Sequence, residues 1–264
     1  MAKYINYTNL DFQLEQNQFY AEKVSLSISA STSPVLLSDG SLLRYAPDGA
    51  VVGSLSTDFY LTGSFPNYLN ISEINENPIV GSFANVTINN IYPKSISFSV
   101  EPFQPILISA EFDWYGNISI QNLTEQSQTD RKNKAIPQYI ASAYKSYIDI
   151  NDLDGVGNIN NFSYSAKCDR PSFFHINQKN PFRVAAINKE TTLSLSSNSL
   201  GDMIDIQGKS VSTNIYLKDF YGESLQSFGI TGVLNRQSYE VSNGKYLMTS
   251  ADIMQTISEI KTLV

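Results

Sequence analysis

Strict alternation of serine with apolar residues constrains this chain more than any other feature of its sequence. It occurs over residues 24–30 and again over residues 95–100. The apolar members are Val24, Leu26, Ile28 and Ala30 in the first stretch and Ile96, Phe98 and Val100 in the second. Neighbouring side chains of a β-strand point to opposite faces, so this spacing predicts two strands with one apolar face and one hydroxyl-bearing face.

Further strands are predicted where β-branched and aromatic residues are concentrated between turn-forming residues. These segments are 50–61, 83–91, 105–115, 191–197, 211–218 and 225–234. No regular helical pattern lies between them, which favours antiparallel sandwiches or barrels over a parallel sheet. We therefore expect a mostly β fold.

The second half of the chain echoes the first in three blocks that occur in the same order. The matched blocks are 24–63 with 162–202, 86–96 with 215–225, and 106–112 with 247–253. Three collinear matches predict the internal duplication of a unit of about 120 residues, which is close to the size of a small domain. The fold expected is therefore two tandem antiparallel β-sandwich or barrel units.

The duplication divides the chain into a first β unit over 1–125, a linker over 126–160 and a second β unit over 161–264. Within the linker, Pro137 precedes a segment whose tyrosines fall along one side of a helix. Because proline is well tolerated at the start of a helix, we expect one short linker helix over 138–147.

Three polar segments are predicted to be long loops, since they combine Pro, Gly, Asn and Asp in turn-forming pairs. They are 31–50, 62–82 and 168–182. Near the C-terminus, Ile253, Ile257 and Ile260 have helical spacing, but the repeat aligns this region with a strand. We follow the repeat and expect a strand over 245–254, with a short helix after it left open.

Few residues offer catalytic or metal-binding chemistry. His175 is the only histidine, and its aromatic and aliphatic neighbours favour a structural role over a Ser-His-Asp or Cys-His site. Cys168 is the only cysteine and is predicted to be a small buried residue. Residues 149–160 resemble a calcium loop, but Ile150 and Asn161 stand where carboxylates are required. A solvated turn is favoured there, and an irregular cation loop is the alternative.

Motifs for phosphate binding or nucleophilic catalysis are absent from the sequence. Glu111 and Asp113 share one face of a predicted strand beside Trp114 and Tyr115, but glycosidase chemistry needs two carboxylates across a cleft. An exposed Trp or Tyr could stack on a sugar, which keeps a carbohydrate-binding module open. We predict no enzymatic activity, no metal and no cofactor.

The charge balance limits the partners. Lys and Arg number 18 against 25 Asp and Glu, so the net charge of −7 lacks the basic footprint of a dedicated nucleic-acid binder. Acidic walls would instead repel phosphates and let DNA pass without adhering. Charged residues make up 16% of the chain, which is typical of surfaces buried in assemblies and equally of an Asn-rich surface. No signal peptide and no apolar run of membrane-spanning length is present, so no membrane span is expected.

Several stretches, taken in order, resemble a virion structural protein of tailed bacteriophages, specifically a tail-tube-like protein in duplicated form. They are MAKYINYTNL, VSLSISASTSP, GSLSTDFYLTG and SFSVEPFQPILISAEFDWYG, with counterparts in the second half. The resemblance implies that each unit is a small β-sandwich or barrel with a flanking helix and long loops. It also implies that units pair through their sheets around a ring and that stacked rings form a conduit for DNA. A trimer of a duplicated subunit would equal a six-unit ring.

On this resemblance the chain is a virion protein of the phage tail, assembled in the host cytoplasm with copies of itself and other tail proteins, and DNA is only a passing cargo. The second half matches the pattern poorly over 198–212, which leaves open a tube, baseplate, neck or decoration position. The strands expected to carry assembly contain Val24, Leu26, Ile28, Ile96, Phe98, Val100, Phe112 and Trp114. The alternative function is a β-sandwich binding module, either carbohydrate-binding or head-decorating.

Overall fold

The computed structural model places most of the chain in β-strands. It describes residues 10–70, 76–116, 118–120, 139–150, 159–176, 178, 180–198, 208, 210–241, 243 and 247–257. The predicted mostly β fold is confirmed. The strands before the middle of the chain are β1 (Leu10–Leu14), β2 (Asn17–Leu36), β3 (Leu42–Tyr60), β4 (Ile79–Phe83), β5 (Val86–Val100), β6 (Leu107–Trp114) and β7 (Ile118–Ile120). Those after it are β8 (Ala141–Ile150), β9 (Ile159–Asp169), β10 (Ser172–Phe173), β11 (Arg183–Val184), β12 (Ile187–Ser197), β13 (Ser210–Asp219), β14 (Ser224–Glu240) and β15 (Met248–Ile257).

The first half closes into a six-stranded antiparallel barrel. Its strands follow one another in the order β1, β2, β3, β6, β5 and β4, and β4 pairs back to β1. Closure removes the exposed strand edges that an open sheet would leave, and it buries the apolar face of every strand. The interior holds the large side chains of Phe12, Leu55, Phe59, Ile91 and Phe112, all nearly inaccessible to water.

The second half repeats this strand order without closing. Its strands follow in the order β9, β12, β15, β14, β13 and β8, which is the spatial order of β2, β3, β6, β5, β4 and β1. Whereas β1 and β2 pair as a hairpin, no pairing joins β8 to β9 among the described residues. The shared order is consistent with the predicted duplication, which itself stays a prediction.

One of the three matched sequence blocks disagrees with this order. The block 86–96 lies in β5, and its counterpart 215–225 lies mostly in β13. β5 pairs with β6, but the strand that pairs with the equivalent β15 is β14. The other two blocks place β2 with β9, β3 with β12, and β6 with β15, as the strand order does.

Strand β5 belongs to both halves. On one edge it pairs with β6 and β7, and on the other edge it pairs first with β4 and then, from Ser95 to Val100, with β9. The same strand therefore closes the barrel and joins the two halves into one sheet. Buried residues of both halves form one core cluster, in which Phe228 of β14 packs against Phe98 and Tyr164.

The predicted linker helix is wrong: its residues form β8. This strand pairs with β13, where Tyr147 lies opposite Tyr216 and the two rings stack with centroids 4.7 Å apart. Tyr, Ser and Ile are weak helix formers and favourable in strands, so pairing with β13 prevails over the helical spacing. The only helical turn among the described residues is a short 3-10 turn over Asn67–Leu69. No described helix has the length and apolarity to cross a membrane.

The predicted loop 31–50 is also wrong, because β2 and β3 continue through most of it as a two-stranded hairpin. Only the turn at 37–41 is not strand: Gly40 has a φ of 81°, and the Asp39 carboxylate accepts hydrogen bonds from the Ser41 backbone and hydroxyl. Asp39 and Gly40 do form a turn. The residues on either side of it belong to strands β2 and β3 rather than to a loop. We call residues 28–52 of this hairpin the arm.

The other two predicted loops, 62–82 and 168–182, agree better with the structure. Irregular backbone occupies most of the described part of 62–82, and β10 and β11 form a two-residue ladder in and beside 168–182. The predicted strand at 245–254 is confirmed by β15. The open question of a helix after it, and most of the candidate cation loop at 149–160, lie outside the described residues.

Candidate assembly surface

Eight strands from both halves form one continuous sheet in the order β2, β3, β6, β5, β9, β12, β15 and β14. The register places hydroxyl and carboxylate side chains in rows across it, all on the face opposite the core. We call this surface the serine face. Its members include Ser25, Ser27, Ser54, Ser56, Asp58, Ser95, Ser97, Ser99, Ser109, Glu111, Asp113, Ser163, Ser165, Ser194, Ser250 and Asp252.

Short hydrogen bonds link neighbouring strands along the serine face. The hydroxyls of Ser27 and Ser54 lie 2.8 Å apart, and those of Ser238 and Ser250 lie 2.6 Å apart. The Ser109 hydroxyl donates to the Asp58 carboxylate at 2.6 Å. Cross-strand pairs of this kind stabilise a sheet by a few tenths of a kcal/mol to about 1 kcal/mol each. The face is thus a polar surface with few side chains that project far.

Carboxylates give the serine face an acidic character. Two of them are neutralised: the Lys94 ammonium lies 3.1 Å from Asp113, and the Lys167 ammonium lies 3.1 Å from Glu190. The bond to Asp113 and its charge raise the pKa of Lys94. Asp58 instead accepts a hydrogen bond from the Ser109 hydroxyl, and the register places Lys23 opposite it.

Aromatic residues fill the other side of the junction between the halves. Phe98 and Tyr164 are directly paired residues of β5 and β9, and their rings stack with centroids 5.1 Å apart. Burial raises the pKa of Tyr164 to about 12. Arg170 adds a polar link, because its buried guanidinium Nε donates to the Pro93 carbonyl at 2.7 Å. Such packing fixes the two halves relative to each other.

Each end of the eight-stranded sheet has an unpaired backbone edge. Beyond Ala21, which pairs with β1, the outer edge of β2 faces no described strand. On β14, the outer edge pairs with β13 up to Val233, and from Asn235 onward it has no described strand partner. Unpaired edges of this length are templates for the addition of another strand.

Apolar side chains are exposed at these two edges although they point to the core side. Ile28 on β2 is 50% exposed, and Val241 next to β14 is 68% exposed. Tyr239 is 44% exposed. Nearby, the buried Gln237 Nε2 and Thr249 Oγ1 atoms have no described hydrogen-bond partner. The core side of the sheet is therefore incomplete at both ends.

The arm is a second exposed apolar surface. Beyond Gly53, β3 pairs only with β2, so the arm extends from the barrel as a two-stranded ribbon. Its exposed apolar residues are Ile28, Val35, Leu36, Leu37, Leu42, Leu43, Tyr45, Val51 and Val52. An isolated two-stranded hairpin is only marginally stable in water, so the arm is suited to pack against another surface.

The residues predicted for assembly fall into two groups. Ile96, Phe98, Val100, Phe112 and Trp114 are buried in the core, where they hold the sheet together. Val24, Leu26 and Ile28 lie where β2 pairs with β3 on one edge and has no described strand on the other, and the first two are half-buried against the core. Sequence reasoning missed Tyr239 and Val241, although their alternation with Ser238 and Glu240 continues the pattern beyond residue 234, where the strand was predicted to end.

No catalytic arrangement forms among the described residues. His175 stacks on Phe182 with centroids 4.0 Å apart, and no described group of His, Cys, Asp and Glu could hold a metal ion. Cys168 is buried, which raises the pKa of its thiol. Trp114 is 2% exposed, so it cannot stack on a sugar beside Glu111 and Asp113.

Comparison with known proteins gives no relative from which a function could be transferred. No model of a protein family matches the chain, and no curated protein is significantly similar to it.

Proposed function

We propose that this chain is a structural subunit of a phage tail that assembles with copies of itself into rings, and that the ring interior is a conduit for DNA. One observation carries the proposal: the eight-stranded sheet has a polar, acidic face on one side and, at each end, an edge with no partner among the described strands. The resemblance of the sequence to tail-tube-like proteins supports the assignment to a phage.

The junction inside the chain is a template for a junction between chains. β5 pairs with β4 over its first part and, on the same edge, with β9 over its last part. β14 likewise pairs with β13 over its first part, and the last part of that edge has no partner among the described strands. Because β2 occupies the place of β9 in the strand order, β2 of a second copy fits the open edge of β14.

The side chains at the two edges are complementary. At the internal junction, Phe98 and Tyr164 meet on the core side while serines meet on the serine face. At the proposed junction, Tyr239 and Val241 of one copy would cover Ile28 of the next on the core side, and serines would again meet on the other side. This pairing would bury exposed apolar surface, and each Å² of apolar surface removed from water contributes roughly 25 cal/mol of favourable free energy.

Repetition of the junction is head to tail, so it closes into a ring if the rotation per copy divides a full turn. Three copies would supply six similar units and 24 strands, which follows from the eight strands of each chain. With the serine face directed inward, carboxylates such as Asp58 and Glu111 would line the lumen. Like-charge repulsion would keep DNA from adhering.

The arm supplies the contact between successive rings in this proposal. Its exposed leucines lie past Gly53, where the pairing of β3 with β6 ends. A stacked ring would cover them and remove both free edges of the ribbon from water.

Purified full-length protein tests the proposal by size-exclusion chromatography with light scattering. The expected result is a mass of three chains, or a polymer of such rings, that does not change on addition of DNA. A monomer over the whole accessible concentration range would contradict ring formation. Shortening of the arm by replacement of 31–50 with a two-residue turn should leave single rings and abolish longer polymers.

A further inference from the structure

Two concavities meet at one rim of the sheet, where the pairing of β5 with β9 ends at Val100 and Phe162. One, of about 520 Å³, is lined by residues of β8, the start of β9 and the segment that follows β5. The other, of about 300 Å³, opens on the serine face. Glu101, Asn161 and Phe162 belong to the walls of both, so the diverging strand ends form a notch that connects them. These volumes are in the range of small-molecule sites.

Exposed aromatic rings form the wall of the larger concavity. Phe103 is 91% exposed and is the third residue of the turn 101–104, in which the Gln104 N–H donates to the Glu101 carbonyl; its φ of 65° fits that position. Tyr144 and Tyr147 of β8 stand on the opposite side and are also exposed. This turn therefore presents an apolar ring to water at the rim of the larger concavity.

Polar groups with no partner among the described residues line the rest of the notch. No ion pair or side-chain hydrogen bond is described for the Glu101 carboxylate or the Asn161 amide. In the smaller concavity Ser196 is 9% exposed, and its buried hydroxyl has no described hydrogen-bond partner. A buried hydroxyl without a partner costs free energy, which a ligand with its own hydroxyl groups could recover.

We propose that this notch binds a neutral oligosaccharide. Flat aromatic rings suit the apolar face of a sugar, while a carboxylate, an amide and a hydroxyl together accept and donate the hydrogen bonds that sugar hydroxyls need. A nucleic-acid ligand fits less well, because Glu101 would repel its phosphates. The smaller concavity opens on the serine face, but neither Ile28 nor Val241 lines the notch, so the proposal does not require the junction between copies.

Titrations with chitotriose, maltotriose and cellotriose, followed by amide NMR chemical shifts, test this proposal. At least one trisaccharide should shift the signals of residues 101–103 and 160–162. Phe103→Gly removes the ring and suits the left-handed backbone, and it should weaken binding about three- to ten-fold. Asn161→Ala should weaken it about five-fold. Tyr221→Ala, which removes a 79% exposed ring outside the notch, should leave binding unchanged.

Three results would overturn the proposal. In the first, none of the trisaccharides shifts these signals at concentrations up to about 10 mM, the weak end of specific binding. In the second, binding occurs but neither Phe103→Gly nor Asn161→Ala weakens it. In the third, an extended peptide of alternating Val and Thr shifts the signals of β8 while the sugars do not. That result would assign the gap to the addition of a strand.

Discussion

At Gly53 the backbone of β3 passes directly beneath the indole ring of Trp114. A Cβ atom at this position would overlap the ring and lie 2.8 Å from the Ser27 carbonyl oxygen. Gly53→Ala should therefore destabilise the fold by about 1–3 kcal/mol, as overpacking of a core does. The measurement is the thermal midpoint. Gly63→Ala is the matched control, because no atom lies within 4 Å of its Cβ position. Equal midpoints for the two variants would contradict the packing described here.

Tyr164 gives the junction a signature at alkaline pH. Its folded pKa of about 12 lies above its ordinary value of 10.0, so the folded state retains a proton that the unfolded state loses. The contribution to stability is therefore complete below pH 10 and is lost as the pH rises toward 12. Urea denaturation from pH 9 to about pH 12 should show this decline. Tyr164→Phe should make the decline shallower; an unchanged slope would show that Tyr164 does not titrate in this window.

The face of the sheet on which a side chain lies could be predicted from the sequence where apolar and polar residues alternate strictly. Ile96, Phe98 and Val100 were predicted to point inward and are buried. The same pattern predicted an inward Ile28, which points to the core side but is half exposed. Alternation reports which face a side chain occupies and not whether anything covers that face. The exposure of Ile28 depends on the absence of a neighbouring strand, which no local pattern encodes.

Among the strands, the proposed junction depends on the outer edges of β2 and β14. Ile28→Lys on β2 and Val241→Glu beside β14 each place a charge in the proposed contact and should each reduce assembly. Because both residues are exposed in the single chain, the thermal midpoint of the monomer should change little. Tyr221→Lys is the control, since this exposed ring lies at the turn between β13 and β14. Light scattering gives the oligomer mass of each variant.

The double variant Ile28→Lys with Val241→Glu tests whether residues 28 and 241 of neighbouring copies contact each other. If the two edges meet, the opposite charges lie side by side and assembly should recover in part, which appears as a coupling of roughly 0.5–3 kcal/mol in the double-mutant cycle. Additive effects of the two substitutions would show that these edges do not touch each other.

Element types were predictable where residue propensity and spacing agreed, and not where they conflicted. The segment 138–147 has helical spacing of its tyrosines, yet it forms β8 because β13 offers a paired backbone and the Tyr216 ring. The arm contains a true turn at Asp39-Gly40, but the strands on either side continue past the barrel. Pairing between strands that are distant in sequence determines both the strand β8 and the long strands of the arm. A short stretch of sequence carries no information about such pairing.

For the whole molecule, the proposed ring rests on the common strand order of the two halves and on the single sheet that joins them. The sequence repeat predicted two similar units but could not predict that β5 would serve both of them. Nor could it locate the notch around Glu101 and Asn161, which is created where two distant strands diverge.

Negative-stain electron microscopy of the unmodified protein and of the Val241→Lys variant tests whether the open edge of β14 is needed for ring formation. The account predicts closed rings with a central hole for the unmodified protein and dispersed single chains for the variant, with both proteins equally folded by circular dichroism. Dispersed particles in both samples, or rings that persist in the variant, would contradict the claim that the open edge of β14 is completed by β2 of the next copy.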